Sequence, residues 1–274
     1  MNPAKQVVVY GAFDDIRARD IRFLEEAAKL GALTVLLWPD AAIRQASGKP
    51  PKFPLEERHY LLNAIRHVTR VVPLEKQAQP DSLPEIPGLQ PAIWADLEAS
   101  ANPAREAFCS RNGIGFRIFT PAELDGFPEP PPMPSEPGRK RVIATGCYDW
   151  FHSGHARFTE EASAYGDLYL CLGSDANVRL LKGNGHPLLT EQERRYVVGS
   201  IKYVKQALIT TGTGWVDADP EIRRLKPDIY IVNEDGDKGG KREYCEKLGI
   251  QYLVLKRTPS PGLPPRSSTI LRGF

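Results

Sequence analysis

Gly146-Cys147-Tyr148-Asp149-Trp150-Phe151-His152-Ser153-Gly154-His155 is the stretch that decides the fold. Upstream of it, residues 141–145 (RVIAT) read as a short buried strand; downstream, residues 156–165 read as a helix. Two histidines three apart, with only Ser and Gly between them, therefore stand where a strand ends and a helix begins. Free backbone N–H groups and the positive end of the helix dipole make such a junction an anion site before any side chain is counted. Gly146 and Gly154 keep the backbone open to a closely approaching phosphate, and the two imidazoles add hydrogen-bond donors.

The pattern around the run alternates strands and helices. Strands are expected at 141–145, 167–173, 206–209, 228–232 and 252–256, and helices at 156–165, 190–203, 217–225 and 241–248. Thr190 and Glu193 have the spacing of a capping box. The segment 167–173 is apolar almost throughout, as a parallel strand covered on both faces should be.

The chain also repeats itself. At an offset of 135, GAFDDIRARDIRFLEEAAKLG (11–31) lies over GCYDWFHSGHARFTEEASAYG (146–166), with Asp14 over Asp149 and Phe23 over Phe158. Further on the offset is 136, with Arg58 over Arg194 and Cys109 over Cys245. The expected fold class is α/β: two tandem doubly wound parallel-sheet, Rossmann-like domains, with ligand at the carboxyl ends of the strands. His152, His155, Asp175, Lys182, Asn233 to Asp235 and Arg257 all fall at such ends. The first copy has lost the chemistry: Arg17, Arg19 and Asp20 replace His152, Gly154 and His155. The expected divisions are 1–126, a degenerate domain; 127–140, a proline-rich semi-rigid linker; and 141–274, the working domain.

Composition excludes several classes. The 36 basic and 34 acidic residues leave a net charge of +2, which offers no case for nucleic acid or a charged membrane surface. No apolar run approaches the roughly 20 residues of a membrane span, and the start of the chain has no leader pattern, so a cytoplasmic protein is expected. The four cysteines, Cys109, Cys147, Cys171 and Cys245, are too scattered for a zinc site or a disulfide scaffold, so no protein-borne metal is expected.

The run at 146–155 resembles the HxGH signature of the nucleotidyltransferase superfamily, and within it the cytidylyltransferases. GCYDWFHSGHARF is similar to the opening of choline-phosphate and ethanolamine-phosphate cytidylyltransferases. LLKGNGHPLLTEQERRYVVGSIKYV (180–204) is similar to their lysine loop and the helix after it, and RSSTILR (266–272) to their closing ISSTxIR or RTxGIST element. The resemblance implies attack of a phosphate monoester on the α-phosphorus of a nucleoside triphosphate, CTP or ATP, with loss of pyrophosphate. It implies Mg²⁺ carried in with the triphosphate, and a pairing of such domains, here an intramolecular pseudo-dimer of the two halves or a homodimer.

Implied roles follow residue by residue. His152 and His155 would hold the α- and β-phosphates and stabilise the transition state, with Cys147 and Tyr148 completing the nucleotide-binding loop. Lys182 would reach the phosphates across the cleft; the alternative is a solvated loop lysine. Arg194 would bind substrate or the β- and γ-phosphates; the alternative is a surface ion pair. Asp149 would orient the site from behind or face the Mg²⁺, or else serve a structural turn, since Asp14 keeps it in the damaged copy. Asn233 and Asp235 would read base or ribose, or form an exposed turn. Ser267, Ser268 and Thr269, with Arg272, would take the β- and γ-phosphates at a helix start. Arg257 matches the Arg of RTxGIST, but eight residues separate Arg257-Thr258 from the SST element. LKGNGHP resembles the LKGxGRP of heptose-phosphate adenylyltransferases, and ISSTxIR is common among ATP users, which keeps an adenylyltransferase open beside the cytidylyltransferase. A non-catalytic nucleotide-binding regulator is the reading from another class, because half of the chain is already degenerate.

Overall fold

The computed structural model describes residues 5–77, 79 and 81–271. The chain forms two compact units that divide between Gly126 and Phe127. In the first unit, β1 (Gln6–Gly11), α1 (Ala18–Ala28), β2 (Ala32–Leu37), α2 (Asp40–Ser47), α3 (Leu55–Ala64) and β3 (Arg70–Pro73) precede β4 (Ile93–Leu97), α4 (Pro103–Arg111) and β5 (Gly115–Phe119). The five strands are parallel in the order β3-β2-β1-β4-β5.

The second unit repeats the plan. Its elements are β6 (Arg141–Gly146), α5 (Ser153–Ser163), β7 (Asp167–Leu172), α6 (Asp175–Lys182), α7 (Glu191–Gly199) and β8 (Val204–Ile209). Then come α8 (Asp219–Leu225), β9 (Ile229–Asn233), α9 (Lys241–Leu248), β10 (Gln251–Leu255) and the short α10 (Ser268–Leu271). The order β8-β7-β6-β9-β10 is the first sheet's with every label raised by five. Register agrees as well: Val7 pairs with Leu33 and Ile93, and Val142 with Leu168 and Ile229. Val142, Ile143, Ala144, Leu168, Leu170 and Leu172 are fully buried, because helices cover both faces of a parallel sheet. Strand order reverses between β1 and β4 and between β6 and β9, and the crevice at each reversal is where this architecture receives ligands.

Element ends shift by a few residues, as where α7 stops at Gly199 and β8 begins at Val204, and three larger details depart from the sequence expectation. Helix α5 starts at Ser153 rather than at 156, because the His152 ring is its N-cap: Nδ1 accepts the Gly154 N–H at 3.1 Å. Histidine is outside the usual Ser, Thr, Asp and Asn caps, so the signal was silent. Helix α6 was unforeseen, although Ser174 caps it by accepting the Asn177 N–H at 3.2 Å and Gly183, in the left-handed region at φ 85°, stops it. Lys182 is thus the last residue of a helix rather than part of a loop. The proline-rich segment does more than space two domains: within the second unit, Phe127 lies against Tyr196 and Glu129 pairs with Arg195 at 2.7 Å. Met133 N–H also donates to the Lys205 carbonyl at 2.9 Å. Among the described residues no helix is long and apolar enough to cross a membrane.

Candidate active site

At the β6–β9 reversal lies a cleft enclosing about 600 Å³ of non-atom space, open solvent included. Gly146, Cys147, Tyr148, His152, Gly154 and His155 form one wall; Asn233, Asp235 and Arg257 reach it from the ends of β9 and β10, and Lys241 from the start of α9. A second hollow adjoins it, sharing Gly154, Asn233 and Arg257 and adding Lys256, Arg266 and Ser267.

The histidines stack at 4.0 Å between ring centroids. His152 is 1% exposed. Its Nδ1 accepts the Gly154 N–H, which assigns the proton to Nε2, and Nε2 is buried without a partner. Nδ1 of His155 is likewise buried without a well-formed hydrogen bond, and the Trp150 backbone is the polar group beside that ring. Burial, then the nearby Arg257 and Arg266, push the His152 pKa down to about 4. Burial, then His152, Arg257 and Lys182, hold His155 well below the usual histidine range. Burial thus favours the neutral form of both rings, which can offer donors to an anion without bringing charges of their own.

The glycines have steric duties. A Cβ on Gly154 would sit 3.0 Å from the His152 ring, and one on Gly146 would sit 2.7 Å from the Tyr148 ring. Tyr148 is in the left-handed region at φ 53° and lies 5.1 Å from His155, centroid to centroid. Burial raises the Cys147 thiol, which keeps it protonated and argues against a nucleophilic role.

Other expected site residues have different work. Arg194, read as a phosphate ligand, is fully buried and engaged by protein. It donates to the carbonyls of Leu189 (3.1 Å), Cys147 (2.8 Å) and Gly173 (2.8 Å) and to Asp175 Oδ1 (2.8 Å). The cause is plain: four of the five guanidinium N–H groups are spent on three carbonyls and a carboxylate, which clamps the segments at 147, 173–175 and 189 together. Asp149 accepts the N–H groups of Leu188 and Leu189 at 2.7–3.0 Å and tethers the segment before α7, the structural alternative. Lys182 is exposed and does not line the cleft. Ser268 donates to the Trp150 carbonyl at 3.3 Å, holding the last turn against the histidine loop. Arg272 and the Thr269 side chain lie outside the described residues. Arg257 does reach the cleft, held by the Asp235 carboxylate and the Arg266 carbonyl.

Lys241 was missed. The repeat carried its signal, since Lys241 lies 136 residues after Arg105, another cation.

Among known proteins, the family described as Cytidylyltransferase-like matches residues 143–273. The FAD synthase of Ferroglobus placidus is 35% identical over 120 residues, covering 43% of this chain and 75% of that protein. The bifunctional protein HldE of Aliarcobacter butzleri is 35% identical over 122 residues, which take in 43% of this chain and 24% of HldE. The crystal structure of a lipopolysaccharide core biosynthesis protein from Thermoplasma volcanium covers 45% of this chain and 99% of its own, at 25% identity. Its TM-score of 0.38 is too low to bear on the fold. With the family match spanning the half that holds both histidines, and a relative aligned over three quarters of its length, this chain belongs to the cytidylyltransferase-like nucleotidyltransferases.

Proposed function

We propose that the second half transfers a nucleotidyl group from CTP to a small alcohol phosphate or sugar phosphate, releasing pyrophosphate. The observation that carries this reading is the pair of stacked imidazoles lining a cleft at a helix start, with Nε2 of His152 left without a protein partner. A phosphate-monoester oxygen attacks the α-phosphorus; the new O–P bond forms as the bond to the β-bridging oxygen breaks, and pyrophosphate leaves with that electron pair. No side-chain nucleophile is needed, so the protein aligns two anions and absorbs charge. The Nε2–H of His152 is a fixed donor for an α- or β-phosphate oxygen, and its bond strengthens as charge grows in the transition state. Asp149 and Asp235 are engaged by backbone N–H groups and by Arg257, and no cluster of three or more metal-binding side chains occurs among the described residues. These residues suit Mg²⁺ that enters on the triphosphate and keeps nucleotide and water oxygens as ligands.

CTP is favoured by the form of the histidine loop and by Lys202-Tyr203-Val204 after the helix. ATP is favoured by LKGNGHP, by RSSTILR and by the FAD synthase relative, whose product carries an adenylate. A pyrophosphate-release assay with both nucleotides against a panel of phosphate esters separates them. CTP should lead in kcat/KM by about 10²-fold or more, because a site built for one base leaves its polar groups unpaired with another. A lead for ATP makes the protein an adenylyltransferase. Nucleotide binding without pyrophosphate release from any pair points to the regulator.

A further inference from the structure

Lys241 opens α9 and lines the histidine cleft, and its Nζ donates to the Gly236 carbonyl at 2.9 Å. It makes no ion pair among the described residues, whereas the other cation of the cleft, Arg257, is held by Asp235. An ammonium has three donors, so two remain. The position is a poor one for a cation. The N-terminal end of a helix disfavours positive charge, and burial disfavours it further, lowering the Lys241 pKa against the pull of Asp237, Asp217 and Asp235. The three aspartates attract the ammonium, but none makes an ion pair with it among the described residues, and a bound anion would take that place.

The first half supplies the control. Arg105 in α4 lines the matching cleft, beside Asp20 in the place of His155. There the cation is neutralised from within: Arg105 pairs with the buried Asp96 and lies 4.8 Å from the Trp94 ring centroid. Strand register sets Ile93 opposite Val7 and Ile229 opposite Val142, so the counterpart of Asp96 is Val232. The half that lacks the histidines keeps a carboxylate against its cation, and the half that has them puts a valine there and leaves Lys241 unpaired.

We propose that Lys241 is a phosphate-binding cation of the second cleft, facing the histidine pair from the β9 side. This rests on the transferase reading above. The test is calorimetric titration of the full chain with CTP, ATP, inorganic pyrophosphate and inorganic phosphate, alongside thermal unfolding without ligand. Lys241→Met should weaken the anions that the wild type binds by about tenfold or more, the scale of one charge-assisted hydrogen bond. Lys241→Arg should recover part of that loss, and Lys238→Met, at an exposed lysine of the same segment, should change nothing. The unliganded Lys241→Met protein should unfold no earlier than the wild type. Loss confined to inorganic phosphate assigns the cation to the acceptor; loss for CTP, ATP or pyrophosphate assigns it to the triphosphate. Unchanged anion binding by Lys241→Met, whether or not the variant is less stable, overturns the assignment alone. A wild type that binds none of the four overturns the transferase reading, and this proposal with it.

Discussion

In the first half Asp20 accepts the Arg17 N–H at 2.7 Å and closes its own helix start; in the second, the same two places hold His155 and His152, which line a cleft and each keep a buried ring nitrogen without a well-formed hydrogen bond. Elsewhere the two halves share several interactions bond for bond. Arg58 is as buried as Arg194 and donates to Phe53, Ala12, Trp38 and Asp40, whose counterparts are Leu189, Cys147, Gly173 and Asp175. Asp14 accepts the N–H groups of Lys52 and Phe53, as Asp149 accepts those of Leu188 and Leu189. Phe13, at φ 45°, repeats the left-handed backbone of Tyr148. A residue that does the same work in a half without histidines serves the fold. What the second half has alone, namely His152, His155, Gly154, Asn233 and an unpaired Lys241, serves the ligand.

The sharpest way to break this comparison is at the paired arginines. Arg58→Ala and Arg194→Ala should each destabilise by about 3–5 kcal/mol, the range for removing one partner of a buried charged network. Denaturant unfolding followed in each half measures it. Normal stability with lost turnover in Arg194→Ala would return that residue to the active site.

Next come the positions that differ. His152→Ala or His155→Ala should lower pyrophosphate release about 10²–10³-fold while the fold persists, as for loss of one preorganised donor. Arg17→Ala and Asp20→Ala should leave turnover unaltered, and a comparable drop from either would give the first half a part in the chemistry.

Acid should act through the same difference. His152 has a folded pKa of about 4 against an ordinary 6.5. Below pH 6.5 the unfolded chain gains its proton first, so the stability this neutral ring confers is complete above 6.5 and is lost as pH falls toward 4. The whole effect is at most about 3 kcal/mol. Burial lowers His59 and His67 of the first half too, so the measurement is a subtraction. Between pH 7 and 4.5, His152→Asn should lose less unfolding free energy than the wild type; an equal loss contradicts the buried neutral imidazole.

The smallest effect sharpens rather than breaks. Asp14→Ala and Asp149→Ala each orphan two backbone N–H groups and should cost about 1–3 kcal/mol, similarly in both halves. A turnover defect in Asp149→Ala beyond its loss of stability would assign it a second role.

The alternation of apolar strands and helices, the repeat at offsets 135 and 136, and the strand-to-helix placement of the histidine run were legible in the chain by itself, because they are local and periodic. From these the two parallel sheets and the position of the cleft followed. Tertiary structure alone decided that Arg194 is a clamp, that Lys182 ends a helix, that burial disfavours the charged form of both imidazoles and that Lys241 makes no ion pair among the described residues. Those properties depend on burial and on partners from strands far apart in sequence: Asp96 and Arg105, or Val232 and Lys241, differ in meaning only once β4 and β9 are set beside their neighbours. Residue type states what a side chain can donate or accept; packing settles which of those bonds the protein makes for itself and which it leaves for a ligand.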